Sequence, residues 1–158
     1  MIATASETSS YLVVRRASVA DVPAVAPLFD AYRQFYEQSS DLGLATCFLT
    51  QRLENDESVL FLALNVSGVA VGFCQMYPSF CSVIAKPIVV LYDLFVVPTT
   101  RQSGAGRALM QAAEAFAVSH LYARLDLTTA RTNLTAQALY ESEGWGRDDV
   151  FLAYSKAT

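Results

Sequence analysis

Histidine and tryptophan occur once each in these 158 residues, cysteine three times, and charged side chains make up only 16% of the chain. Each scarcity closes a class of function. Cys47, Cys74 and Cys81 are odd in number and lack C-x-x-C spacing, which excludes a disulfide framework and a cysteine-based zinc site. No metal is expected, and a reducing cytoplasm is the expected location. The charge is −4, with 11 Lys and Arg against 15 Asp and Glu and no basic cluster, so nucleic acid is not an expected partner. The most apolar window, "VLFLALNVSGVAVGF", is interrupted by Asn65, Ser67 and Gly68 and falls short of the roughly 20 residues a spanning helix needs. The start "MIATASETSSYLVVRR" has no basic region followed by a long apolar stretch. Neither export nor membrane insertion is expected.

What is present is core. Apolar residues make up 53% of the chain, and a chain of this length buries roughly two thirds of its unfolded surface as one domain. Residues 1–10 read as a loose polar tail and residues 11–158 as the domain. "YLVVRRA" reads as a strand. Ser18 and Asp21 have capping-box spacing ahead of a helix carrying Val22, Val25, Leu28, Phe29, Tyr32 and Tyr36 at helical intervals. A second helix runs through "DLGLATCFLTQRLEN", with Ser40 as its cap and Leu44, Phe48, Leu49 and Leu53 facing inward. "SVLFLALN" and "VAVGFCQMY" form a hairpin, and Pro78 and Pro87 bound a loop before the strand "IVVLYDLFVV". A helix from Ala105, a strand "RLDLTTA", a short helix "NLTAQALYESE" ended by Gly144, and a last strand "VFLAYSK" complete the order β-α-α-β-β-β-α-β-α-β. This is an α/β pattern: a mixed, mostly antiparallel sheet with helices on both faces.

The junction "PTTRQSGAG" carries the first chemical signal. A strand that ends in small residues just before a helix leaves backbone N–H groups at the positive end of the helix dipole, which is an anion site. Gly104 and Gly106 keep the backbone approachable, and Arg101 adds a charged donor. The plain alternative is a turn that only opens a helix. The P-loop pattern is excluded because Arg107 and Ala108 stand where its lysine and hydroxyl belong. The dinucleotide fingerprint is met at Gly104 and Gly106, with Asp126 at about the ribose-binding distance, but it fails at Leu109. A nicotinamide-binding protein is therefore the weaker alternative.

Arg101-Gln102-Ser103-Gly104-Ala105-Gly106 resembles the R/Q-x-x-G-x-G/A acetyl-CoA loop of the GCN5-related N-acetyltransferase (GNAT) superfamily. "LYDLFVVP" resembles that family's fourth strand, and "NLTAQALYESEGW" its N-x-x-A-x-x-x-Y-x-x-x-G-[FW] segment. The likeness runs over about residues 11–156. "AYRQFYEQSSDL" and "YPSF" resemble small bacterial acetyltransferases of amines and polyamines. The resemblance implies a homodimeric enzyme that transfers acetyl from acetyl-CoA directly to a small primary amine in a ternary complex. A CoA-binding domain of the same fold without turnover is the other alternative.

The resemblance also implies residue roles. Amides of Gln102, Ser103, Gly104, Ala105, Gly106 and Arg107 would hold the pyrophosphate. Backbone groups of Leu94, Phe95 and Val96, splayed at a bulge, would pair with pantetheine. Asn133 and Tyr140 are seven residues apart and so share a helix face, with Tyr140 protonating the leaving thiolate and Asn133 either on the cofactor or simply a helix cap. An alkyl amine of pKa about 10.4 is protonated at pH 7, a penalty of roughly 4.6 kcal/mol that a base must offset. Asp93, in an otherwise apolar strand, is the candidate base, or else an acceptor that supports the bulge; some relatives carry a glutamate where this chain has Tyr92. Tyr32, Tyr36, Glu37, Asp41 and Tyr92 are the candidates for binding the acceptor. His120 and Trp145 read as structural, with Trp145 packing the sheet, and the cysteines as buried small hydrophobes.

Overall fold

The computed structural model describes residues 12–158, so the expected tail and Tyr11 of the first strand lie outside the described residues. The chain divides into a compact unit ending at Leu127 and a second, Thr128–Thr158. In the first unit, strands β1 (Val13–Arg16), β2 (Val59–Leu64), β3 (Ala70–Cys81), β4 (Lys86–Val96) and β5 (Leu125–Asp126) lie in that order in one sheet. The pairings from β1 to β4 are antiparallel and β4 pairs with β5 in parallel, which gives the mixed sheet expected. Its helices are α1 (Val22–Phe35), α2 (Leu42–Glu54) and α3 (Ala105–Ser119).

Side-chain alternation sorts the helices onto the two faces. Leu60, Leu62, Phe73 and Phe95 join Val25, Leu28, Phe29, Ala45 and Leu49 in one buried cluster under α1 and α2. On the opposite face Phe61 meets Phe116 of α3 at 6.1 Å between ring centres, and the Cys74 thiol lies 3.7 Å from the Leu109 carbonyl.

Several expectations are corrected. Ser40 does not cap α2. Asp41 does, its carboxylate accepting from Leu44 N at 2.8 Å, while Ser40 donates its hydroxyl to the buried Asp30 at 2.7 Å. Asp30 also accepts from Asp41 N, Arg33 and Gln34, and these donors, the Ser40 hydroxyl foremost, hold its carboxyl below the usual range. Leu44 points outward, whereas Leu49 is buried as expected, together with Ala45.

Pro78 and Pro87 do not bound a loop; they pair inside a long β3–β4 hairpin opposite Val89 and Phe80. The proline at 78 is tolerated because β2 stops pairing at Met76, so the rest of β3 is a sheet edge where no N–H is required. Cys47 is exposed and Cys81 half-buried, and only Cys74 is interior, where burial pushes its thiol up to about 12. His120 stacks its ring on Phe116, with 3.9 Å between ring centres.

In the second unit, helix α4 (Leu134–Ser142) ends in a Schellman cap. Gly144 takes φ +84°, its N–H donates to the Glu141 carbonyl, and Trp145 N donates to the Tyr140 carbonyl, both at 3.1 Å. Trp145 lays its ring on Tyr140, with 6.3 Å between centres. The expected last strand does not form: residues 151–158 have no strand pairing, and the Asp148 carboxylate ties up the amides of Val150 and Phe151 in a turn. Among the described residues no helix is long and apolar enough to cross a membrane.

Candidate functional site

The site is built on one irregularity of β4. Gln75 pairs with Asp93 and its neighbour Met76 with Leu91, so Tyr92 is an extra residue, a β-bulge. Paired residues share a face and consecutive ones alternate. Leu91 therefore faces α3 with Met76, while Asp93, two residues on, faces α1 and α2 with Gln75. In a regular strand Leu91 and Asp93 would share the α3 face; the bulge re-aims the acid.

Asp93 is only 5% exposed and lines a cleft of about 360 Å³ together with Phe29, Tyr32, Phe48, Tyr77 and Tyr92. Burial pushes its pKa up, opposed by hydrogen bonds from Gln75 and Tyr32. Gln75 is fully buried and makes three bonds. Its amide nitrogen donates to Asp93 Oδ2 at 3.1 Å and to the Tyr77 hydroxyl at 2.7 Å, and its carbonyl oxygen accepts from the Ser58 hydroxyl at 3.1 Å. The carboxylate is thus fixed by a chain of neutral groups, with no cation among the described residues hydrogen-bonded to it. That environment favours a base whose pKa lies nearer neutrality than a free aspartate's.

The second part lies at the end of the same strand. β5 pairs with β4 only at Val89 and Val90, so beyond them β4 has no strand partner on that edge among the described residues. Leu94, Phe95 and Val96 remain paired to β3 on the other edge, opposite Cys74, Phe73 and Gly72. Gly72 is needed there: a Cβ on it would come within 2.7 Å of the Phe95 carbonyl oxygen. After Val96 the chain makes a 3-10 turn, Pro98–Thr100, and enters the loop. Gln102 and Gly104 take φ of +67° and +87°, and α3 opens at Ala105. The first backbone bond of α3 runs from Ala108 N to Gly104 O, so the amides of Ala105 and Gly106 precede the helical ladder. The Ser103 hydroxyl is buried without a partner among the described residues. Backbone amides at a helix N-terminus beside an unsatisfied hydroxyl suit a phosphate. Arg101 is turned back on the strand, its Nε donating to the Val96 carbonyl at 3.4 Å.

The structure thus brings Asp93, Tyr92 and Tyr32 into one cleft and joins it, through Leu94, Phe95 and Val96, to the loop of residues 101–107. Tyr36 packs edge-on against Tyr32 and is largely exposed; Glu37 is exposed at φ +62°, and Asp41 serves as the α2 cap. None of these three lines the cleft. In the second unit Asn133 caps α4, accepting from Ala136 N at 3.3 Å, and Tyr140 is clasped by the Schellman cap. Phe29, Phe48, Tyr77, Gln75 and Ser58 were missed as site residues. The signal for Gln75 was available: a lone amide in the apolar run "VAVGFCQMY" must find partners if buried. Among the described residues no group of three or more His, Cys, Asp or Glu could hold a metal.

The comparisons agree with this geometry. The acetyltransferase (GNAT) family model matches residues 25–145. The chain is 46% identical over 141 residues to an uncharacterized N-acetyltransferase, YhfO, of Bacillus subtilis (strain 168), covering 89% of this chain and 94% of that protein. A crystal structure of a probable acetyltransferase superposes with a TM-score of 0.87 at 34% identity, covering 92% of this chain and 97% of that one. The fold is shared with an aminoglycoside N-acetyltransferase, AAC(6')-Iy, solved in complex with CoA, at TM-score 0.78, 19% identity and coverage of 94% and 97%. The chain therefore belongs to the GNAT family and is an acyltransferase of the N-acetyltransferase type.

Proposed function

We propose that the protein transfers the acetyl group of acetyl-CoA to a small primary amine by direct attack, with Asp93 as the base. The observation that carries this reading is Asp93 itself: a buried carboxylate, re-aimed by a bulge into an aromatic cleft, on the strand that leads to an anion-binding loop.

Bound acetyl-CoA supplies an activated acetyl thioester. The amides of residues 102–107 and the Ser103 hydroxyl would hold its pyrophosphate, and the open edge of β4 at Leu94, Phe95 and Val96 would align its pantetheine arm. Asp93 takes the proton that an ammonium must lose before its nitrogen can attack. The raised pKa makes the carboxylate a better acceptor of that proton. As the new N–C bond forms and the C–S bond breaks, the departing sulfur needs a proton, and Tyr140 is the proposed donor. Its support is its place in the family segment, seven residues after Asn133 and four before Gly144.

A homodimer in the cytoplasm is part of the same reading. The three free cysteines support the compartment, and family resemblance supports the dimer.

The test is calorimetric titration with acetyl-CoA and with NADH, followed by amine-dependent release of free thiol. Acetyl-CoA binding at micromolar Kd, about −8 kcal/mol, with thiol release only when an amine is present, is the expected result. Binding without release under any amine would make the protein a CoA-binding domain.

A further inference from the structure

We propose that the acceptor is a monoamine with an apolar, aromatic-sized body, such as an arylalkylamine, and not a polyamine or an aminoglycoside. This rests on the acetyltransferase reading above and specifies the acceptor of that site.

Six side chains line the cleft: five are aromatic and one is a carboxylate, Asp93. One carboxylate neutralises one ammonium. The aromatic faces then add to the binding of that cation and bury the body attached to it, each buried methylene contributing about 0.8 kcal/mol. A second ammonium finds no acid in the lining. The nearby Glu57 is ion-paired with Arg52, and Arg52 lies over the Phe48 ring at 5.1 Å. A second cation approaching the Phe48 wall would therefore find its nearest acid already neutralised by Arg52. Stripping it of water without a partner is costly, and that cost discriminates against diamines and longer polyamines.

Aminoglycosides fail on a different ground. A polyhydroxylated ligand needs many hydrogen-bond partners, and two of the three tyrosyl hydroxyls in the lining are already engaged: Tyr77 accepts from Gln75, and Tyr32 bonds Asp93. The cleft, at about 360 Å³, is also near the small end of ligand sites. Tyr36, Glu37 and Asp41, which could have served a polycation, lie outside the lining.

The test compares 2-phenylethylamine, putrescine, spermidine and kanamycin as acceptors by thiol release, at saturating acetyl-CoA. We expect kcat/KM for 2-phenylethylamine to exceed that of each other amine at least tenfold. Replacing Tyr92, which is 68% exposed and so separable from folding, as Tyr92→Ala should raise KM for 2-phenylethylamine at least fivefold while acetyl-CoA affinity stays within twofold. Putrescine, spermidine or kanamycin as the preferred acceptor, or a Tyr92→Ala enzyme with unchanged KM, overturns the inference and leaves the acetyltransferase reading standing. Acetyl-CoA binding with no turnover of any of the four overturns both.

Discussion

The two halves of the site are made of different material. The loop at residues 101–107 is a backbone device: positive φ at Gln102 and Gly104, amides ahead of the helical ladder, and a single buried hydroxyl. The cleft is a side-chain device, in which Asp93 and five rings from α1, α2, β3 and β4 converge. A backbone device depends on residues adjacent in the chain, so a short motif can announce it. A side-chain device depends on register and packing across residues far apart, and no local spacing encodes it.

The comparison can be broken at either half. The largest effect is expected from Asp93→Asn, which keeps shape and removes the proposed base: turnover should fall about 10²–10⁴-fold while acetyl-CoA affinity holds. The same variant should be more stable than the parent at neutral pH. A carboxyl whose folded pKa is raised holds its proton more tightly when folded, so stability is lost as pH rises from the unfolded pKa through the folded one. Thermal melts at pH 4 and pH 8 check the sign, since the asparagine's advantage should appear only at the higher pH.

Gly104→Val attacks the other half. At φ +87° a β-branched residue is strained even though nothing lies within 4 Å of the new Cβ, so the loop should rearrange. Acetyl-CoA affinity should drop roughly 10–100-fold by calorimetry. An unchanged affinity would mean that the loop holds no pyrophosphate.

Much of the first half was legible because sequence neighbours make it. Arg101 to Gly106 gave the loop, and Asn133, Tyr140, Gly144 and Trp145 gave a helix whose cap the structure explains. The strand bearing Asp93 was also legible, as was Tyr32 one turn beyond Phe29. The rest was hidden for definite reasons. Tyr77 stood next to an apparent loop because Pro78 reads as a breaker, and only the early end of β2 makes that proline harmless. Glu37 and Asp41 look like acceptor ligands in a string, yet one is exposed beyond the end of α1 and the other is consumed as a helix cap. The last strand is suggested by the apolar run at residues 150–154, but such a run makes a strand only where a partner supplies the ladder.

Smaller changes sharpen the contrast. Gln75→Leu removes the amide that lowers the Asp93 pKa, so that pKa should rise further. The acidic limb of the kcat/KM profile should then move to higher pH, with roughly a tenfold loss of rate at pH 7. A purely structural role for Gln75 would lower stability without moving the limb.

The smallest effect is expected at Ser103. Ser103→Ala removes a buried hydroxyl that lacks a partner, so the ligand-free protein should gain about 1 kcal/mol. Acetyl-CoA binding should weaken by a few fold. A variant that binds acetyl-CoA as well as the parent would free the hydroxyl from that task.

The bulge at Tyr92 behaves like a reading frame within the strand. Closing the bulge with every residue kept, so that Tyr92 paired with Gln75 and Asp93 with Cys74, would leave the composition and the element order untouched, yet it would exchange what the two faces of β4 display from that point to the loop. Leucine 94 would move to the face that now holds the acid, and the acid would be driven under α3. The placing of the acid is thus encoded less in which residues are present than in one position of the strand that the ladder skips.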